Sequence, residues 1–191
     1  MERPFVVIYL VGVCIAGLIR VIQSRKYQRS EKPQVSVLEL WLMLLWLIAS
    51  QILPMVYGFR AIVSFANYPL PHFLSILGIG VLVLSLWLLR QSHVDLGQNW
   101  SPIAEIQADQ VLVTQGVYRY VRHPMYSAHL LWGLAQGLLI ANWLVGWSGL
   151  IAFALVYWVR VPPEEAMMQE RFGQDYLEYK QDVGAVLPFV G

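Results

Sequence analysis

Three stretches of this chain are too apolar, over too great a length, to be stable in water. They run from Pro4 to Ile22, from Val37 to Tyr57 and from His72 to Leu89. Each comes close to or reaches the ~20 apolar residues that carry a helix across a bilayer. Inside hydrocarbon every backbone N–H and C=O must be satisfied within the protein, which leaves only helices and closed barrels. Unbroken apolar runs without two-residue alternation select the helix. Two shorter runs follow, Tyr126 to Ile140 and Leu144 to Val159, separated only by "ANW". So short a connection predicts a helical hairpin. The expectation is an all-α integral membrane protein with about five transmembrane helices, the last two forming a C-terminal hairpin. Composition agrees: 58% of residues are hydrophobic and 13% charged, where a soluble domain carries about 25% charged residues.

The whole chain reads as one membrane domain. Residues 1–90 supply three N-terminal helices, and residues 91–191 carry most of the sequence's polar chemistry. The first apolar run exceeds a signal-peptide core, and no small-residue cleavage pattern follows it, so it reads as a retained anchor. A net charge of +1 gives no reason to expect a nucleic-acid partner. The one cysteine, Cys14, lies inside the first run, which excludes an intrachain disulfide and a cysteine zinc site. The four histidines have no metal-ligand spacing, so no metal is expected.

Loop charges set the orientation. The first loop holds Arg25, Lys26, Arg29 and Lys32, the second only Arg60, and the third Arg119 and Arg122 with Arg90 at its edge. Positive charge stays cytoplasmic. The N-terminus is then outside, while the third loop and the C-terminal tail lie in the cytoplasm. The hairpin brings its two ends together, so the loop from Gln91 to Met125 meets the tail from Arg160 onwards. A water-soluble cosubstrate is expected in a cytoplasmic pocket there.

Two stretches could form that pocket. In "GVYRYVRHPMYSAHLLW", residues 116–132, Pro124 suits the first turn of a helix and puts His123 near the N-cap. Helix N-termini favour anions. Equally, Arg122 and His123 could be interfacial anchors, with Tyr118, Tyr120 and Tyr126 forming an aromatic belt. In "VYWVRVPPEEAMMQERFGQDYLEYK", Pro162 and Pro163 followed by Glu164 and Glu165 read as the start of an amphipathic tail helix. Adjacent carboxylates point about 100° apart on a helix, so one can face a pocket while the other faces water. Arg160 alone could be a snorkelling anchor. His129 reads as a pocket-lining or interhelical residue, and Gln51, Gln136 and Asn142 as interhelical hydrogen bonders. Gly133 and Gly137 form G-x-x-x-G, with Gly146 and Gly149 as a matching surface on the next helix. The eight tryptophans read as mostly interfacial.

Taken together, "LVTQGVYRYVRHPMY", a hairpin, "R-x3-EE" and "FGQDYLEYK…LPF", with "DLGQNWS" ahead of them, form a pattern. It resembles the isoprenylcysteine carboxyl methyltransferase family, most of all its short prokaryotic members. The likeness covers roughly residues 94 to 189, and phospholipid N-methyltransferases share the same signature. It implies an S-adenosylmethionine-dependent methyltransferase, releasing S-adenosylhomocysteine, that acts on a lipophilic or lipidated acceptor drawn from the membrane. By that likeness, cofactor contacts fall on Glu105, Gln110, Val111, Leu112, Val113, Tyr118, His123, Pro124, Met125, Tyr126 and Glu164. The family commonly has His where this chain has Gln110. Arg160 takes the acceptor-contacting position, and His129 is a further candidate for lining the acceptor site. A carboxylate acceptor would need only Arg160 to hold it, whereas an amine must lose a proton and would bring in Glu165 or Tyr126 as base. Membrane steroid and enoyl reductases have a similar C-terminal outline but tend to carry Asn where Met125 stands. A scaffold without catalysis would make Arg160 and Glu164 plain anchors.

Overall fold

Helices account for most of the described backbone in the computed structural model, which describes residues 3–26, 36–59, 63–99 and 111–188. Helix α1 (Arg3–Lys26) leads to α2 (Val37–Leu47), which passes through a π-helical turn at Ile48–Ile52 directly into α3 (Leu53–Phe59). Then come α4 (His72–Leu96), α5 (Pro124–Leu139), α6 (Trp143–Phe172) and α7 (Gln174–Asp182). No strand forms among the described residues, only isolated bridges such as Val121 with Gly184.

Local chemistry sets several of these boundaries. Ser36 and Glu39 form a reciprocal capping box that starts α2. Pro124 occupies the first turn of α5 behind His123. Asn142 caps α6 by accepting from the amides of Leu144 and Val145, and its own amide group reaches Val63 and Asn67. Asn142 is therefore a cap and loop tie, not the interhelical bond expected from its type. Gln51, also expected to bond between helices, lines a cavity.

Four segments are long and apolar enough to cross a membrane: α1, α2 through α3, α4 and α6. Their outward residues, among them Phe59, Phe73, Ile76 and Trp158, are exposed as lipid-facing side chains must be. The chain is a multi-pass integral membrane protein. The expected fourth span is the exception. α5 has 16 residues and rises about 24 Å, short of the ~30 Å hydrocarbon core. It ends where Ile140 turns extended.

The expected end of the hairpin at Val159 is corrected. α6 continues for 30 residues straight through Pro162 and Pro163, and the amphipathic segment is its distal arm, not a new helix. Each proline removes one hydrogen-bond donor from the helix. Both lie on the exposed side, where water or headgroups can satisfy the carbonyls they release. The break comes later, at Gly173, which separates α6 from α7.

α4, α5 and α6 form the centre. A Cβ on Gly133 would sit 2.5 Å from the Cα of Leu150, and one on Gly137 2.7 Å from the Trp147 ring. Gly149 lies against the Gln136 side chain, so the small-residue surfaces do let α5 and α6 meet closely. Trp132 is fully inside this core, contrary to an interfacial role, and its indole donates to Tyr9 Oη at 2.7 Å. The single proton of Tyr9 Oη is shared between the carbonyl of Ser50 at 2.6 Å and Gln136 Oε1 at 2.8 Å, and Gln136 Nε2 donates to the carbonyls of Ala49 and Val145. The carbonyls loosened by the π turn are thus satisfied by side chains from α1, α5 and α6.

Candidate functional site

The ends of α4, α5 and α6 converge on the same end of the bundle, where the loop entering α5 is fixed at several points. Asp95, at the end of α4, accepts from the Val117 amide at 2.8 Å, while Gln91 steadies the same carboxylate at 2.7 Å. Gly116, at φ +63°, lies directly against Asp95, so any side chain there would be both strained and obstructed. Asn99 Oδ1 accepts from the Val111 amide at 3.0 Å. The loop hangs from the last turns of α4, which extend well past Arg90.

The Arg-His-Pro corner is held by the chain's last described residues. The amides of Arg122 and His123 donate to the carbonyls of Gly184 and Ala185 at 2.8 and 2.9 Å, and Ser127 Oγ donates to that of Val186. Arg122 is almost wholly buried. Its Nη2 meets Glu165 Oε1 at 2.9 Å, and its Nη1 donates to the carbonyls of Lys180 and Val183. His123 Nε2 is 3.1 Å from the same Glu165 oxygen, and Lys180 Nζ is 2.5 Å from the other. Glu165 is therefore the anionic hub of a clasp joining α5, α6 and α7, and it does not line the main cavity. A base must have a free lone pair facing its substrate, and here both oxygens are taken by cations. This corrects the expectation of Glu165 as a catalytic group.

Glu164, one position earlier, points the other way, as 100° of helix rotation requires. It accepts from Tyr126 Oη at 2.5 Å and pairs with Arg160 Nη2 at 3.3 Å, one turn before it. Arg160 Nε is also 3.7 Å from Glu39 on α2. Glu39 had no predicted part in the site. The pattern Ser36-x-x-Glu39 marks a helix start, but nothing in it reveals the partner across the bundle.

These groups surround a cavity of about 610 Å³. Its wall includes Val111, Leu112, Val113, Tyr118, His123, Pro124, Met125, Tyr126, His129, Arg160 and Glu164. Every described residue of the expected site except Glu165 is therefore brought to one cavity. Glu105 and Gln110 lie outside the described residues. The wall is not confined to the C-terminal half: Arg20 of α1 and Met43, Trp46, Leu47 and Gln51 of the second span contribute to it. His129 closes the membrane end. Its ring stacks on Phe153 at 4.8 Å and meets Trp46 edge-on at 4.9 Å, and Nδ1 lies 2.6 Å from the Met125 carbonyl.

At the loop end the tyrosines stay neutral. Burial pushes the Tyr118 and Tyr179 hydroxyls well above their ordinary range and takes Tyr176 up to about 12. Tyr179 Oη remains a donor and gives its proton to the Tyr118 carbonyl at 2.5 Å. The cavity thus joins polar, carboxylate-bearing residues of α5 and α6 to the aromatic cluster of Trp46, His129 and Phe153.

Comparison with known proteins follows the same outline. The family model for phospholipid methyltransferases matches residues 73–175. Protein-S-isoprenylcysteine O-methyltransferase B of Arabidopsis thaliana is 32% identical over 135 residues, covering 68% of this chain and 66% of that protein. The human protein-S-isoprenylcysteine O-methyltransferase is 30% identical over 123 residues, covering 61% of this chain and 42% of that one. The solved structure of a eukaryotic intramembrane Ras methyltransferase, an isoprenylcysteine carboxyl methyltransferase, superposes with a TM-score of 0.60 at 26% identity, over 91% of this chain and 61% of the other. This chain spans less than two thirds of the length of each of these relatives.

Proposed function

The chain belongs to the phospholipid methyltransferase family, and from that premise we propose that it is an S-adenosylmethionine-dependent methyltransferase acting on a lipophilic acceptor. The leading acceptor is the carboxylate of an isoprenylcysteine-like thioether. The observation that carries this reading is the single cavity on which the expected residues converge, lined by polar, carboxylate-bearing residues and by an aromatic cluster.

The donor set fits such a cofactor. Apolar Val111, Leu112 and Val113 can hold an adenine between them. The α5 N-terminus behind Pro124, with His123 as its cap, suits a carboxylate. Glu164, buried against Tyr126 and Arg160, suits a cationic amine or sulfonium. When bound, S-adenosylmethionine supplies an electrophilic methyl group on its sulfonium. The protein's own work is alignment and exclusion of water, since an ionised acceptor carboxylate needs no base. The Glu165 clasp contributes by fixing the His-Pro corner, and Arg160 orients the acceptor through its planar guanidinium. Cofactor entry from the cytoplasm, with the N-terminus outside, follows from the Lys and Arg residues of the first and third loops. On this reading residues 91–191 carry the cofactor, and residues 1–90 complete the acceptor end of the cavity.

A phospholipid amine is the second reading, favoured by the two carboxylates, Glu39 and Glu164, that flank Arg160. Under it, the Tyr126–Glu164 pair would take the departing proton. A methylation assay with cofactor labelled on the methyl group separates the two. The leading reading expects label in a base-labile ester of a farnesylcysteine acceptor, lost in Arg160→Ala. Label appearing only in phosphatidylethanolamine would select the second, and label in neither acceptor would reject both.

A further inference from the structure

The π turn of the second span, Ile48–Ile52, is held in place by side chains from other helices. Tyr9 of α1 reaches the Ser50 carbonyl, and Gln136 of α5 and Ser148 of α6 both donate to the Ala49 carbonyl. Gln51, within the turn, has no such task. Its side chain is half-buried and lines the cavity, and no hydrogen bond reaches its amide among the described residues. A polar side chain inside a membrane span ordinarily has a partner. At an unbroken α pitch Gln51 would lie about 80° round the helix from Met43, eight residues earlier on the same wall. A π turn, bonded i→i+5, rotates less per residue and brings Gln51 back towards that wall. The turn thus presents the amide to the cavity.

What lies between Gln51 and Arg160 is apolar. On the second span and α6 the wall between them is Met43, Trp46, Leu47, Phe153 and Val156. The two helices are tied at both levels, by Arg160 with Glu39 at 3.7 Å and by Ser148 with Ala49 at 2.9 Å. These ties are twelve residues apart on α6 and ten on the second span, about 15–18 Å of helix rise. An extended farnesyl thioether acid has about 14 bonds along its chain, or roughly 16 Å at the reach of a fully extended chain. An acceptor whose carboxylate is held at Arg160 therefore sets its far end at Gln51.

We infer that Gln51 is a specificity-determining residue that reads a hydroxyl or carbonyl near the distal end of the acceptor's apolar chain. The inference rests on the methyltransferase reading of the cavity and names the class of its acceptor: an amphiphile with a carboxylate at one end and a neutral hydrogen-bonding group at the other. The amide offers both donors and an acceptor, so it can pair with either group. A hydrocarbon tail pressed against it strips its water and returns no bond. A site made to bond a hydroxyl rejects the analogue lacking it in this way.

The test uses the full chain in lipid nanodiscs and two probes, farnesylthioacetic acid and the same acid hydroxylated on the last carbon of its chain. The affinity of each is measured for wild type and for Gln51→Leu, so that partitioning into lipid cancels. The substitution weakens the hydroxylated probe about three- to tenfold, the range of one hydrogen bond, and leaves the plain probe unchanged or tighter. S-adenosylhomocysteine binding is unchanged, which also shows that the variant folds. Gln51→Met, which keeps the side chain's length, gives the same result and stands in if the leucine variant does not fold. A shift of both probes by the same factor, or of neither, overturns the inference. Absence of S-adenosylhomocysteine binding in wild type would instead defeat the methyltransferase reading, while the change in probe ratio still reports on Gln51.

Discussion

Two polar networks lie inside this bundle, and they are built differently. The one at mid-depth, centred on Tyr9, Gln136, Ser50 and Trp132, is uncharged and closed on itself. Each of its bonds ties one helix to another or satisfies the π turn of the second span. The one at the loop end is ionic and two-sided. On one side Glu165 gathers Arg122, His123 and Lys180, and on the other Glu164, Tyr126 and Arg160 line a cavity, with Glu39 beside Arg160. Neutral bonds at hydrocarbon depth hold the helices together without the desolvation cost of charge. Charge is kept for the end where a polar ligand can enter, and there a single step along α6 separates the group that holds the structure from the group available to bind.

The contrast predicts separable effects. The largest is expected for Glu165→Ala, which leaves Arg122 buried without its anion, a loss of about 3–5 kcal/mol. Thermal unfolding should fall sharply, and S-adenosylhomocysteine binding should fall with it, because the His-Pro corner loses its clasp. A variant with unchanged midpoint and affinity would show that the ionic network does not organise the site. Next is Gly133→Ala, which drives a methyl group into the backbone of Leu150 and should cost about 1–3 kcal/mol. Its effect should appear in unfolding and not in cofactor affinity. Tyr9→Phe, at about 0.6–1.7 kcal/mol, is the smallest, again confined to stability, and would sharpen the claim that the mid-depth network has no ligand. For Arg160→Ala, turnover should collapse while cofactor binding stays within a few-fold. Loss of binding instead would count against the proposed separation of an acceptor site from a cofactor site.

Sequence revealed these two networks unequally. The apolar runs and the hairpin were legible, because run length and residue type are local and follow from physics that acts within one segment, whereas the pairing of His123-Pro124 with Glu164 was implied by the family resemblance. The partners of those residues were not legible. Arg122, Lys180 and Glu165 are 15 to 58 positions apart, and any of them alone reads as a surface charge. Tyr9 and Gln136 are 127 residues apart and meet only because α1 crosses α5. The two prolines of α6 misled for a physical reason: proline ends a helix when its released carbonyls are buried, and exposure at these positions depends on the fold. Glu39 and Arg20 were missed because a capping residue and a helix-end arginine each already have an ordinary explanation.

The central claim is that Glu164 is the binding carboxylate of a cofactor cavity and not a helix-capping charge. Titration calorimetry of S-adenosylhomocysteine into the detergent-purified full chain, wild type beside Glu164→Ala, tests it most directly. Binding by wild type and a loss of about ten- to a hundredfold in the variant, with its unfolding midpoint lowered less than that of Glu165→Ala because Arg160 keeps Glu39 nearby, is the expected result. Equal affinity in the two proteins would contradict it.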